Sequence, residues 1–111
     1  MVLIVGGVAQ GKNEYVKATY DGCEIIFDYH KIIRSQLEAG EDAMANATSL
    51  LANAKDLEHL VIVCDEVGYG LVPMDAFERT YRETVGRVSC YLASQAASVV
   101  RIVAGLPMRI K

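Results

Sequence analysis

The sequence predicts an α/β fold with a mainly parallel sheet, and three observations carry that prediction. Short runs rich in Val, Ile and Leu alternate with stretches patterned as helices along the whole chain. The runs are apolar at nearly every position, as strands covered on both faces are, instead of alternating apolar with polar. The first run, Val2-Leu3-Ile4-Val5, ends in a glycine-rich turn that leads directly into a helix.

Taken in order, Val2 to Val5 is the first strand and Lys12 to Thr19 the first helix. A turn at Asp21-Gly22 leads into Cys23 to Asp28, a second buried strand ending in an acid. Tyr29, Ile32, Ile33 and Leu37 then recur at helical spacing, and Gly40 suits the stop. A further helix near Asp42 to Ala54 carries Met44, Ala47, Leu50 and Leu51 on one face. His59 to Asp65 is a third strand, and Val67 to Pro73 a glycine-containing loop. The longest helix starts at Asp75, which forms a D-x-x-E capping signal with Glu78. Its buried stripe is Phe77, Tyr81, Val85, Val88 and Leu92, and Glu78–Arg82, Arg79–Glu83 and Glu83–Arg87 are the charge pairs expected on its open side. Ser98 to Val103 is another strand. Met108 to Lys111 is a short terminal one after a turn at Gly105-Leu106-Pro107.

With 111 residues, the chain reads as a single domain spanning 1–111, long enough for a core. A formal charge of −3 provides no general basic surface, so nucleic acid is not an expected partner. No apolar run approaches the roughly 20 residues that span a bilayer, and the opening lacks the basic-then-apolar pattern of a signal peptide. Cys23, Cys64 and Cys90 are odd in number and far apart. They read as reduced, mostly buried small hydrophobes, which with the absence of a span or leader predicts a cytoplasmic protein.

Gly6-Gly7-Val8-Ala9-Gln10-Gly11-Lys12-Asn13 follows the pattern G-x-x-x-x-G-K with Asn where Ser or Thr is usual. Glycines let the backbone curl until successive N–H groups converge on a polyphosphate. Lys12 then reaches the outer phosphates, and the helix start adds its partial positive charge. The loop therefore predicts a nucleoside triphosphate, GTP or ATP, and makes the fold P-loop NTPase-like with three layers. The bland alternative is a glycine turn between a strand and a helix. The missing hydroxyl normally ligates Mg²⁺; the Asn13 carbonyl oxygen is an acceptable ligand, longer and differently placed.

Asp28, at the end of Ile25-Ile26-Phe27, sits where a Walker B acid would hold Mg²⁺ directly or through water, or where an Asp would cap the following helix. Asp65 and Glu66 follow the third strand at the same sheet edge. They suit positioning or activating a substrate hydroxyl, ligating metal through water, or simply opening an acidic loop. His30 could serve as a nucleophile or general base, but a lone His in a first helical turn is expected to be exposed. His59 reads as structural, and Arg79, Arg82 and Arg87 as a solvated helix face.

These residues resemble the adenosylcobinamide kinase/adenosylcobinamide-phosphate guanylyltransferase family. Val61-Ile62-Val63-Cys64-Asp65-Glu66-Val67-Gly68-Tyr69-Gly70-Leu71-Val72-Pro73 resembles that family's strand followed by N-E-V-G-x-G-I-V-P. Phe77 to Arg87 resembles its R-x-F-R-D-x-A-G-R helix, and Ala104 to Lys111 its G-L-P-x-x-x-K ending. Val5 to Lys12 matches its T-G-G-x-x-S-G-K start, and Asp28 falls on its Walker B acid. The departures are Asn13 for the loop Ser and Asp65 for the Asn of N-E-V-G. The family also carries, between its first helix and the Walker B strand, a segment holding the histidine that accepts GMP; here only Asp21 and Gly22 lie there.

The resemblance implies a compact cobalamin-biosynthesis enzyme acting on the aminopropanol hydroxyl of adenosylcobinamide, with the kinase step favoured over guanylyl transfer. Lys12 would hold the nucleotide, Asp28 and Asn13 the Mg²⁺, and Glu66 would sit near the acceptor. The other reading is a catalytically impaired nucleotide-binding regulator or assembly partner of the same pathway. The family's members assemble as homo-oligomers, and the same is expected here.

Overall fold

The computed structural model describes residues 1–67 and 75–111. In chain order the elements are β1 (Val2–Gly6), α1 (Lys12–Thr19), β2 (Glu24–Ile26), α2 (Tyr29–Glu38), α3 (Ala43–Ala52), β3 (Leu60–Asp65), α4 (Ala76–Gln95), β4 (Ser98–Val103) and β5 (Leu106–Arg109). A 3₁₀ turn, Leu57–His59, precedes β3. The loop expected up to Pro73, with the later part of its family-like motif, lies beyond Val67 and outside the described residues.

The strands form one sheet in the order β2-β3-β1-β4-β5, parallel except for β5, which runs antiparallel to β4. Because side chains alternate across a strand, each central strand feeds two cores. Leu3, Leu60, Ile62, Cys64 and Val99 face α2, α3 and α4, meeting Ile33, Ala47, Val85, Val88 and Leu92. Ile4, Val61, Val63, Val100 and Ile102 face the other way, toward Val16 of α1. This double burial is why the strands are apolar throughout, and it gives the three-layer, P-loop NTPase-like fold the sequence predicts.

Local chemistry sets the ends of the elements. Asp42 Oδ1 accepts from the N–H groups of Met44 (3.0 Å) and Ala45 (3.1 Å) to start α3. Asp75 does the same for Phe77 (2.7 Å) and Glu78 (3.2 Å) at α4. Asp56 caps the 3₁₀ turn and pairs with His59 Nδ1 at 2.8 Å, a structural role for that histidine.

Several expectations are corrected. β2 ends at Ile26, so Phe27 and Asp28 lie past it, and Asp28 is a left-handed residue (φ 53) at the entry to α2. The final turn is Ala104-Gly105 (φ 50 and 77), both left-handed as a two-residue type I′ hairpin requires, so β5 begins at Leu106 and includes Pro107. A proline is tolerated there because β5 is an edge strand. Of the α4 pairs, Arg87–Glu83 forms at 2.5 Å. Glu78 also takes Arg34 of α2 in a two-armed contact, one arm at 3.3 Å, with the guanidinium stacked over Phe77 and Tyr81. Cys64 is buried, but Cys90 is exposed and Cys23 half-buried. No helix among the described residues is long and apolar enough to cross a membrane.

Candidate functional site at the carboxyl edge of the sheet

The sheet order brings β1 and β3 side by side, with Gly6 paired to Asp65 at their carboxyl ends. β1 continues into α1 on one face of the sheet, while β3 leads toward α4 on the other. Such a switch point opens a crevice for ligand. Gly6 permits the geometry: a Cβ there would lie 2.6 Å from the Ile102 carbonyl oxygen of β4.

The loop that follows is held from outside. Gly105 N–H donates to the Gln10 carbonyl and Ala104 N–H to the Gln10 side-chain oxygen, each at 2.8 Å, strapping the loop to the β4–β5 hairpin. Ala9 (φ 57) and Gly11 (φ 85) are left-handed, which curls the backbone. Gly11 caps α1 with no side chain, so the first-turn N–H groups depend on another partner such as an anion.

Lys12 folds back into this curl. Its Nζ donates to the Gly7 carbonyl (2.5 Å) and lies 2.7 Å from Asp65 Oδ1, with only 6% of the lysine exposed. His30, expected to be exposed, is buried, because the start of α2 abuts the end of β3. Asp65 N–H donates to His30 Nδ1 at 3.1 Å, and His30 Nε2 lies 3.5 Å from Asp65 Oδ2. An Nδ1 that accepts leaves the ring proton on Nε2, an assignment that follows from the hydrogen bond. Burial holds the His30 pKa below its ordinary value, against the pull of Asp65 and Asp28. Burial also pushes the neighbouring Cys64 thiol up to about 11.

A cleft of about 520 Å³ is lined by residues 8–14, by Asp28, His30 and Lys31, and by Asp65 and Val67. Val8, Ala9, Gln10, Gly11, Lys12, Asn13 and Asp28 thus share one space, rooted in Gly6 and Gly7. Glu66 does not join them. Successive strand residues point apart, and Arg101 of β4 takes the Glu66 carboxylate at 2.9 Å beside a separate cleft bordered by Gly7 and Gln10. A larger hollow, about 820 Å³ between α2, α3 and the β2 edge, contains none of the loop residues.

The donor set suits a hard divalent cation. One ligand-capable atom each of Asp28, His30 and Asp65 lies within 4.8 Å of the others. The two carboxylates are oxygen donors of the kind Mg²⁺ takes. The His30 lone pair is already committed to Asp65 N–H. Asn13 lines the same cleft.

Sequence reasoning placed the principal acid on Asp28, whereas the acid beside the loop strand is Asp65. Leu60-Val61-Ile62-Val63-Cys64-Asp65 offers as good an apolar run ending in an acid as Ile25-Ile26-Phe27-Asp28 does. Which run neighbours β1 is a property of the sheet order.

Comparison with known proteins adds a family. The profile described as cobinamide kinase / cobinamide phosphate guanyltransferase matches residues 24–110, more than three quarters of the chain, starting after the loop of residues 6–13. The bifunctional adenosylcobalamin biosynthesis protein CobU of Escherichia coli is 40% identical over 52 residues, which is 47% of this chain and 29% of that protein. Its counterpart in Salmonella typhimurium matches to the same extent, so the aligned stretch spans under a third of either relative.

Proposed function

We propose, because the chain belongs to the cobinamide kinase / cobinamide phosphate guanyltransferase family, that it binds GTP or ATP at residues 6–13 and phosphorylates adenosylcobinamide. The observation that carries this reading is the convergence of a curled loop, a buried lysine and two carboxylates in one cleft. In this reading the backbone N–H groups of the loop and of the α1 start hold the phosphates. Lys12 leaves Asp65 for the outer phosphates as their charge arrives. Asp28 and Asn13 would hold Mg²⁺, which would supply charge neutralisation for the phosphates when bound. Asp65 stays beside the loop, fixed through its backbone and carboxylate by His30. Glu66, engaged by Arg101, borders the loop from the β4 side, where it would orient the acceptor arm.

The kinase step is favoured over guanylyl transfer by the state of His30. A histidine nucleophile needs a free lone pair in line with the α-phosphate. Here Nδ1 accepts from Asp65 N–H and Nε2 carries the proton. Incubation with GTP labelled at the α-phosphate is expected to leave no acid-labile GMP–protein adduct, while label from the γ-phosphate reaches cobinamide. An adduct on wild type that disappears in His30→Ala would reverse that assignment.

Calorimetric titration with Mg-GTP and Mg-ATP tests the binding itself. Lys12→Ala is expected to weaken it by about 1–3 kcal/mol, the worth of a charge-assisted contact. Equal affinity in wild type and variant would remove the phosphate-loop reading. The absent loop hydroxyl at Asn13 favours a second reading, a nucleotide-binding regulator or assembly partner without catalysis. Tight binding without any transfer to cobinamide would select it. Either way we place the protein in the cytoplasm as a homo-oligomer, which exposed apolar side chains at the β5 edge (Leu106, Met108) and at Ile110 just beyond support and sedimentation tests.

A further inference from the structure

We propose that Gln10 is a positioning residue that acts away from the cleft. By holding the β4–β5 hairpin it sets the peptide planes whose N–H groups meet a polyphosphate. The ligand rests on the phosphate-loop reading above; the setting of the planes rests on bonds within the chain.

A loop that takes an anion must aim N–H groups at it and send its carbonyls elsewhere. Here the carbonyls are drawn off one after another. Gly6 accepts from Glu66 N–H at 2.8 Å, Gly7 from Lys12 Nζ at 2.5 Å and Val8 from Gln10 Nε2 at 3.5 Å. Gln10 accepts from Gly105 N–H at 2.8 Å and Gly11 from Tyr15 N–H at 3.1 Å. In a trans peptide the C=O of one residue and the N–H of the next point opposite ways. Tying the Gln10 carbonyl to the hairpin therefore turns the Gly11 N–H away from it. Tying the Val8 carbonyl fixes the Ala9 N–H in the same manner. Ala9 and Gly11 line the cleft, and no hairpin residue does.

Gln10 controls both planes. Its main-chain oxygen makes the first tie directly. Its side-chain oxygen accepts from Ala104 N–H at 2.8 Å, which pins the amide group whose Nε2 reaches the Val8 carbonyl. The hairpin offers two consecutive N–H groups because Ala104 and Gly105 are both left-handed, with φ 50 and 77. Loop and hairpin tip also pack closely: a Cβ on Gly11 would lie 3.3 Å from the Gly105 Cα. The G-x-x-x-x-G-K pattern leaves position 10 open, so the motif itself does not call for glutamine. A carboxamide serves here because it accepts from the hairpin and donates to the loop at once.

The test pairs amide exchange in nucleotide-free protein with calorimetric titration of Mg-GTP. Gln10→Met keeps the length but loses both polar ends. In it the Ala104 amide is expected to exchange faster, and Mg-GTP to bind about three- to tenfold more weakly, the scale of one ordinary hydrogen bond. Gln10→Glu, whose carboxylate can still accept, should return the Ala104 amide to slow exchange. Gly105→Val strains the left-handed tip without entering the cleft, and should weaken Mg-GTP by a similar factor. Combining it with Gln10→Met should add little, because both remove the same tie. Melting curves confirm that each variant is folded; Gln10→Leu and Gly105→Ala replace any that is not. Unchanged Mg-GTP affinity in Gln10→Met, or losses that multiply in the double variant, would overturn the positioning role alone. A wild type that binds neither Mg-GTP nor Mg-ATP would remove the phosphate-loop reading and this role with it.

Discussion

Asp28 adopts a left-handed backbone with φ 53 and ψ 48, a conformation an L-residue holds at a cost, and its side chain makes no cap bond to α2. A position with a purely structural purpose would favour glycine, which takes that conformation without strain. Asp28→Gly is therefore expected to leave thermal stability unchanged or raise it by about 1 kcal/mol, while the Mg²⁺ dependence of nucleotide binding falls. A loss of stability with the Mg²⁺ dependence intact would make Asp28 a structural residue. Asn13→Ser is the complementary change. It restores a hydroxyl at the cleft, and titration at increasing Mg²⁺ should show a steeper dependence than wild type. Thiol chemistry gives a third check at this scale. Cys64 is buried and its thiol is pushed up to about 11, whereas Cys90 is exposed. Maleimide at neutral pH should label Cys90 in the native protein and reach Cys64 only after unfolding; early labelling of Cys64 would show that the β3–α4 core opens readily. At this scale the sequence revealed residue types but not neighbours. Lys12 was legible from the loop spacing, while the His30–Asp65–Lys12 chain depends on β3 lying beside β1, which no local pattern encodes.

Elements were more legible than contacts. The helices start where Asp42 and Asp75 announce them, because a cap is a local bond between a side chain and N–H groups two and three residues on. The last hairpin was misplaced because Pro107 reads as a turn residue, although edge position lets it sit in a strand opposite Ile102. Spacing on one helix offers Glu78 the charge of Arg82, which does pull its carboxyl down, but does not reveal the larger hydrogen-bonded tie to Arg34 of α2, which also stacks on two rings. That tie links α2, whose first turn carries Asp28 and His30, to α4. Arg34 holds the Glu78 carboxyl below its ordinary value of 4.5. A carboxylate depressed in the folded state contributes stability above its unfolded pKa and loses it as pH falls through the folded one. Arg34→Met should therefore be less stable than wild type at pH 7, with the difference shrinking as pH falls below the ordinary carboxylate range and lost once it passes the depressed folded value. A difference that persists in acid would assign the effect to ring stacking instead of charge.

The whole molecule is unevenly clad. Among the described residues, α2, α3 and α4 cover the face carrying Leu3, Ile62 and Val99, but only α1 covers the face carrying Ile4, Val63 and Ile102. α1 has eight residues, of which Val16 and Lys12 alone are buried, and it starts without a side-chain cap. An isolated helix that short is unstable in water, so its persistence depends on Val16 and on whatever satisfies its first turn. The fold class was legible because double burial marks every central strand, yet this asymmetry was not. It follows from which helix crosses on which side. Hydrogen exchange in the native state should find the amides of α1 less protected than those of α2, α3 and α4, at least about tenfold below α4, in a local opening that leaves β1 and β3 intact. Adding Mg-GTP or Mg-ATP should raise protection across residues 12–19 more than elsewhere, since a phosphate at the helix start stabilises only the closed form. If α1 instead exchanges together with β1 and α4, the molecule opens as one unit. The loop would then be rigid before ligand arrives, and nucleotide would bind a cradle already formed.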